Sequence, residues 1–323
     1  MTEINSSNAI QDASNSSETV ACNLCGGQDA VELYRRSDFR LDVDTVEWPL
    51  VKCRSCGLGY VNPRPVSSAI WRYYPSSFFE NRDRHVLLRR YELQADYLAG
   101  IAPGRLLDIG CANGDWIQML KERGWDVAGL EPSADSANPH HLEIQHATVE
   151  QAQYPPNSFD VITAWAVFEH LHDPMTAFQN VMRWLKPGGR LIVLVTNLRS
   201  LASRFAYQED IPRHLFVFSE TTLAKYAASV GLELINVRHD TKLFGGSGRG
   251  VIRVRLFGLF GIAPLTYFRA MRLPLAARIR KYPAIGIVGI PLALLERVLL
   301  SDWLVRALRI NGIIIATLQK PAR

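Results

Sequence analysis

The chain of 323 residues reads as an α/β protein, a mostly parallel sheet with helices on both faces, preceded by a small cysteine-bearing module. Three observations predict this. Residues 105–131, RLLDIGCANGDWIQMLKERGWDVAGLE, pass from an apolar strand through a glycine-bearing turn into a helix and then a second strand. Apolar strands and helix-period segments go on alternating as far as residue 240, the pattern of a sheet covered on both sides. Ahead of them stand two C-x-x-C pairs.

The first of these stretches is half of a nucleotide-binding βαβ unit. Leu106, Leu107 and Ile109 form the strand, residues 110–114 put small side chains where a ligand must approach backbone, and Trp116, Ile117, Met119 and Leu120 lie at helical spacing. Gly124 stops the helix, and the strand from Val127 to Leu130 ends at Glu131, an acid placed to bind both hydroxyls of a ribose. The turn lacks the three glycines of a dinucleotide fingerprint. Asp108, just ahead of it, would repel a pyrophosphate and attract a cationic amine. S-adenosylmethionine carries an ammonium, a sulfonium and a single ribose. The stretch resembles the first motif, D-x-G-x-G-x-G, of the class I S-adenosylmethionine-dependent methyltransferases, with Ala112 at the middle glycine.

Cys22-x-x-Cys25 and Cys53-x-x-Cys56 stand 27 residues apart, each pair followed by a glycine, and the segment between them has β-character. This is the signature of a zinc ribbon with one tetrahedral ion, and four paired cysteines of five point to a reducing compartment, the cytoplasm. Residues 22–60 hold five Lys+Arg and six Asp+Glu, so the ribbon has no nucleic-acid footprint and reads as a staple. Residues 1–19, rich in Ser, Asn and acids, read as a disordered tail with no signal-peptide pattern. Residues 20–62 are then the ribbon, and 63–100 an aromatic linker with Trp71, Tyr73, Tyr74, Phe78 and Phe79 followed by a helix around Arg84 to Leu98. The aromatic segment either closes over a ligand or packs ribbon against main domain.

A third strand is expected over Leu142 to Ala147, a fourth over Ser158 to Ala164, and a helix from Trp165 to Pro174, before Leu185-Lys-Pro-Gly-Gly189 and a fifth strand over Arg190 to Val195. The elements S-F-D, E-H-L-x-D-P and L-K-P-G-G strengthen the resemblance. Together with Tyr60-Val-Asn-Pro-Arg-Pro65, the ribbon and P-R-H-L-x-x-F-S around His214, they look like a subgroup of zinc-ribbon-bearing bacterial methyltransferases of surface-glycan or secondary-metabolite pathways. The resemblance implies a seven-stranded Rossmann-like sheet over 101–240 and 312–323, with an antiparallel last hairpin. It also implies a cofactor lying against Asp108, Gly110, Cys111, Ala112, Gly114, Glu131, Pro132, Thr148, Val149 and Trp165. Glu169 and His170 would face the substrate mouth. His170, as an imidazole titrating near working pH, is the first candidate base and His214 the second. An E-H pair with a distant histidine also resembles the divalent-metal sites of some methyltransferases, but those carry an acid where this chain has Ala166.

Residues 241–311 interrupt the last hairpin. Residues 245–323 carry 13 Lys+Arg against 2 Asp+Glu, and the apolar run over 283–295 is too short to span a bilayer of about 30 Å. The insertion is expected to meet the inner face of the membrane, to cover the active site or to join two copies. The expected function is methyl transfer to a small-molecule, sugar or lipid-linked glycan acceptor. The alternatives are an RNA methyltransferase that grips RNA with the ribbon and a non-catalytic scaffold that keeps the cofactor fold.

Overall fold

The computed structural model describes residues 16–38, 41, 43–75, 84–133, 137–204, 210–244 and 250–322. The N-terminal module consists of β1 (Ser17–Glu18), β2 (Ala30–Arg36), β3 (Trp48–Cys53), β4 (Gly59–Val61) and β5 (Arg64–Pro65), and α1 (Arg84–Ala95) leads out of it. The main domain alternates β6 (Arg105–Ile109), α2 (Asp115–Glu122), β7 (Asp126–Leu130), β8 (Glu143–Gln145), β9 (Phe159–Trp165), α3 (Pro174–Trp184) and β10 (Leu185–Thr196). It continues with α4 (Leu201–Arg204), β11 (Phe216–Val217), α5 (Glu220–Val230) and β12 (Glu233–Arg238). Five helices follow, α6 (Val251–Leu259), α7 (Pro264–Met271), α8 (Leu275–Lys281), α9 (Gly289–Leu299) and α10 (Asp302–Ala307), before β13 (Ile313–Gln319).

Seven strands form one sheet in the order β8-β7-β6-β9-β10-β13-β12. The pairs among β8, β7, β6, β9 and β10 are parallel, and β13 runs antiparallel between β10 and β12. Period-two alternation builds a core on each face. Along β10, Leu191, Val193 and Val195 join the core under α3 and α5, whereas Ile192 and Leu194 join the one under α1 and α2. Helix ends follow local chemistry. The Asp173 side chain accepts from Thr176 N at 3.1 Å with Pro174 in the first turn, and Ser219 and Thr222 form a capping box for α5.

Four expectations need correction. The stretch Trp165 to Pro174 is not a helix: β9 runs to Trp165, Ala166 takes φ 59°, and Phe168–His170 make one 3-10 turn before Asp173 and Pro174 start α3. The left-handed residue stops any helix from propagating there. The helix after the linker ends at Ala95 and tightens into a 3-10 turn over Asp96–Leu98, and the third strand shrinks to Glu143–Gln145. The tail ends earlier than residue 19, because Ser17 and Glu18 pair with Pro65 and Arg64. Residues 1–15, Phe78 and Phe79 lie outside the described residues.

The ribbon is not a free-standing staple either. Its sheet, β11-β4-β3-β2, takes its edge strand from the main domain, and Trp48, Leu50, Leu58 and Tyr60 share one core with the α3 and α5 face of the large sheet.

Candidate functional site

The parallel strands end together at Ile109, Leu130, Gln145, Trp165 and Thr196, and the turn after β6 lies on that edge. Gly110 (φ 76°), Ala112 (φ 50°) and Gly114 (φ 82°) are all left-handed, so Ala112 adopts the backbone its glycine counterpart would, at some strain. A Cβ on Gly110 would lie 2.6 Å from Val167 Cγ2, which places the glycine turn directly against the turn bearing Glu169 and His170. Gly129 admits the buried Cys111 thiol, whose Sγ would sit 2.5 Å from a Cβ there.

Glu131 reaches the turn itself. Its Oε2 accepts from Ala112 N at 3.0 Å and its Oε1 from Ser133 N at 3.1 Å. Asp108 is buried and accepts from Thr163 Oγ1 at 2.6 Å. Burial, opposed by the Thr163 bond and aided by the Glu131 charge, pushes its carboxyl up to about 8. The simple attraction expected of an ionised Asp108 is therefore corrected: without a cation beside it, the group is mostly protonated at neutral pH. Trp165 turns to the α1 and α2 face, edge-on to Trp116 at 5.5 Å and Tyr97 at 5.9 Å, and its indole Nε1 is buried with no hydrogen-bond partner among the described residues. Val149 is packed in the opposite core, Thr148 opens the turn after β8, and Pro132 is exposed.

The predicted substrate-side residues come together. Donor atoms of Glu169, His170 and His214 all lie within 4.8 Å of one another, and the two imidazole rings meet at 4.7 Å. His170 Nδ1 is 3.0 Å from the carbonyl oxygen of Arg213, which can only accept, so Nδ1 carries the proton and Nε2 is the basic nitrogen. Burial, and then the neighbouring His214, push His170 down to about 3. This overturns the expectation that it titrates near working pH. Tyr74 Oη also lies 3.0 Å from His170 Nδ1, so part of the aromatic linker packs against the Glu169–His170 turn.

Sequence reasoning missed what holds this cluster in place. Arg213, fully buried, donates to both carboxylate oxygens of Asp38 (2.9 and 2.8 Å), to Asp210, and to the Tyr73 carbonyl at 2.8 Å. Burial works against its charge, but the two carboxylates hold it above the usual guanidinium range. The P-R-H tripeptide was the available signal. Its partner Asp38 lies 175 residues away in the ribbon, a distance that local patterns do not cross.

The four ribbon cysteines lie together, with Sγ separations of 3.4 Å for Cys22 and Cys56 and 3.6 Å for Cys25 and Cys53. A tetrahedral ion with Zn–S near 2.3 Å needs sulfurs about 3.8 Å apart, so the set fits zinc. Each pair sits on a turn closed by Gly26 or Gly57 at positive φ. Burial raises Cys22 and Cys56, whereas at Cys53 the amides of Cys56 and Ser55 and the neighbouring thiols outweigh burial and bring the group to about 7, so the metal-free set is a mixture of thiol and thiolate and a bound ion would have to displace protons. Glu169, His170 and His214 could also close on a cation, but Ala166 leaves that set without the further acid such sites carry.

A parallel sheet with an antiparallel seventh strand, a left-handed glycine turn after its first strand and an acid that touches that turn define a class I methyltransferase core. Residues 79–237, just under half of the chain, match the family model described as a methyltransferase domain. The ubiquinone biosynthesis O-methyltransferase of Pseudomonas aeruginosa is 34% identical over 121 residues, which cover 34% of this chain and 52% of that protein. The protein of the same name from Cupriavidus pinatubonensis is 26% identical over 166 residues, covering 45% and 67%. The chain spans about half the length of the first of these curated relatives. Among solved structures, a putative sarcosine dimethylglycine methyltransferase from Galdieria sulphuraria aligns over 77% of this chain and 91% of its own, with 17% identity and a TM-score of 0.45.

Proposed function

We propose that the protein transfers a methyl group from S-adenosylmethionine to a small-molecule, sugar or lipid-linked glycan acceptor, and that Cys22, Cys25, Cys53 and Cys56 hold one structural zinc ion. The observation that carries the reading is the contact of Glu131 with the glycine turn, at the edge where five parallel strands end. When bound, the cofactor supplies a methyl group already activated for displacement. Glu131 exchanges its loop amides for ribose hydroxyls, and Gly110 and Gly114 leave room for the ligand against backbone. The remaining work is to align the acceptor and take up its proton.

The name O-methyltransferase carried by the curated relatives supports a hydroxyl acceptor, whose proton needs a base. His170, held near 3, is a poor one, and its Nε2 serves to orient the acceptor by taking a hydrogen bond. His214, 4.7 Å away ring to ring, takes the proton, with Glu169 beside the resulting imidazolium. General-base catalysis contributes roughly 10²–10⁴-fold, so His214→Ala is expected to lower kcat by about that factor with cofactor affinity unchanged. The acceptor class is read by mass spectrometry after incubating protein and methyl-labelled cofactor with host extract split into small-molecule, lipid, glycan and RNA pools. Label in the lipid, glycan or small-molecule fractions supports the reading, and label confined to RNA, or none, overturns it.

A further inference from the structure

Within the insertion, α6 and α7 make a small core from Val251, Val254, Phe257, Tyr267 and Ala270, joined by Ile285 just ahead of α9. That core leaves much apolar surface outside. Of the nineteen large apolar side chains that are exposed among the described residues, twelve fall within residues 250–311. Leu259 and Phe260 are each 81% exposed, Val298 73%, Trp303 72% and Leu294 60%. On α9 the exposed Ile290, Leu294 and Val298 repeat every four residues, one stripe along a single helical face. Scattered apolar side chains are normal on a protein surface, but a concentration of this kind marks a binding face.

Charge selects the partner. Residues 250–311 contain ten Lys+Arg and two Asp+Glu. One of the two acids, Glu296, is buried, paired with Arg253 at 2.7 Å and bonded to Ile252 N at 2.9 Å, so it adds nothing to the surface. Arg280, Lys281, Arg297 and Arg306 are exposed, as is Arg309, which pairs with Glu220 at 3.1 Å. A second copy of this chain would set cations against cations, whereas an anionic surface with an apolar interior matches both features. A cavity of about 350 Å³ among these helices is lined by Arg278 and Arg297, the Arg253–Glu296 pair, and Ile285, Ile290 and Leu294. No helix among the described residues is long and apolar enough to cross a membrane, so the contact is with a surface.

We propose that residues 250–311 dock the protein on an anionic phospholipid bilayer, with α9 and α10 lying in the headgroup region. The position is informative. The insertion leaves after Arg238 and returns at Ile313, which pairs with Thr196 at the C-terminal end of β10. The helices therefore rise from the sheet edge that carries Glu131 and the Glu169–His170 turn, and docking would turn that edge toward the membrane. The interaction itself does not depend on the methyl-transfer reading.

The test is co-sedimentation of the full chain with phosphatidylcholine vesicles and with vesicles that contain phosphatidylglycerol. Sedimentation with the second and not the first is expected, weakened but not abolished by salt, because salt screens only the electrostatic part. Leu294→Glu/Val298→Glu and Arg280→Glu/Arg297→Glu change exposed positions and should each lower the fraction bound at least tenfold. Circular dichroism and zinc content of the same samples distinguish lost docking from unfolding. No sedimentation with either vesicle, equal sedimentation with both, or variants that sediment like the parent would overturn the proposal.

Discussion

The carboxylate of Glu131 accepts from Ala112 N and Ser133 N, and on the proposed reading the same oxygens bind the ribose. Glu131→Ala is expected to weaken S-adenosylmethionine binding by roughly 2–4 kcal/mol, the worth of a charge-assisted pair left unmade, and Glu131→Gln by less. Calorimetry reads both, and an alanine variant that binds like the parent would remove Glu131 from the site. Asp108 gives a pH signature. Its folded pKa, about 8, lies above the ordinary carboxyl value, so at pH 7 the carboxyl holds a proton that an unfolded chain has lost. A cationic cofactor beside the carboxyl favours the charged form and expels that proton. Binding at pH 7 should therefore release close to one proton per site, and at pH 9, above the raised pKa, far fewer. Calorimetry in buffers of different ionisation enthalpy measures this, and release that is absent at pH 7 in the parent, or unchanged in Asp108→Asn, counts against the assignment.

At the scale of elements, the ribbon positions the turn that bears Glu169 and His170. Asn23, inside the first C-x-x-C, donates to Asp173 Oδ1 at 2.8 Å and accepts from Met175 N at 3.0 Å and Tyr226 Oη at 2.8 Å, gripping the start of α3. Arg64 adds a bond to the His172 carbonyl at 2.8 Å, and Arg213 ties the His214 loop to Asp38. Cys53→Ser is expected to lose one zinc per chain and, through these contacts, to lower turnover more than cofactor affinity. Metal analysis beside calorimetry checks it, and a parent without zinc would reject the ion. Replacing Arg213 with Met strands two buried carboxylates and should cost about 3–5 kcal/mol in urea unfolding. The elements themselves were legible wherever local chemistry decides them: the β6–α2–β7 unit and the cysteine turns follow from patterns within a few residues. The Trp165–Pro174 segment was misread as helix because nothing in its composition reveals the left-handed backbone of Ala166. His170 was misjudged because its burial depends on Tyr74 and the His214 loop, which the chain brings up from 96 and 43 residues away.

For the molecule as a whole, the distribution of cores predicts how it opens. One core runs from Trp48 and Tyr60 in the ribbon through the sheet to Phe178 and Tyr226 under α3 and α5, and the other face of the sheet is packed by Trp116, Ile117 and Leu120. Strands β6, β9 and β10 contribute side chains to both cores, so neither core can be exposed without breaking the sheet that the other needs. Ribbon and sheet should thus unfold as one cooperative unit, although they lie far apart in sequence. The insertion differs: its buried cluster is separate and small, and much of its apolar surface already faces solvent in the folded state, so opening it exposes little more. Native-state hydrogen exchange distinguishes these regions. Amides of β3, β6, β9 and β10 should exchange only through global unfolding, at a common free energy and with the same denaturant dependence. Amides of α6 to α9 should exchange at lower free energy and with a shallower dependence, through an opening that leaves the sheet intact. Anionic vesicles should then raise protection in α9 and α10 while the sheet stays unchanged, because only those helices gain a partner. Protection in the insertion equal to that of β10 without lipid would mean that the helices share the main core after all. Ribbon amides that exchange well below those of the sheet would show the ribbon to be a separately folding attachment.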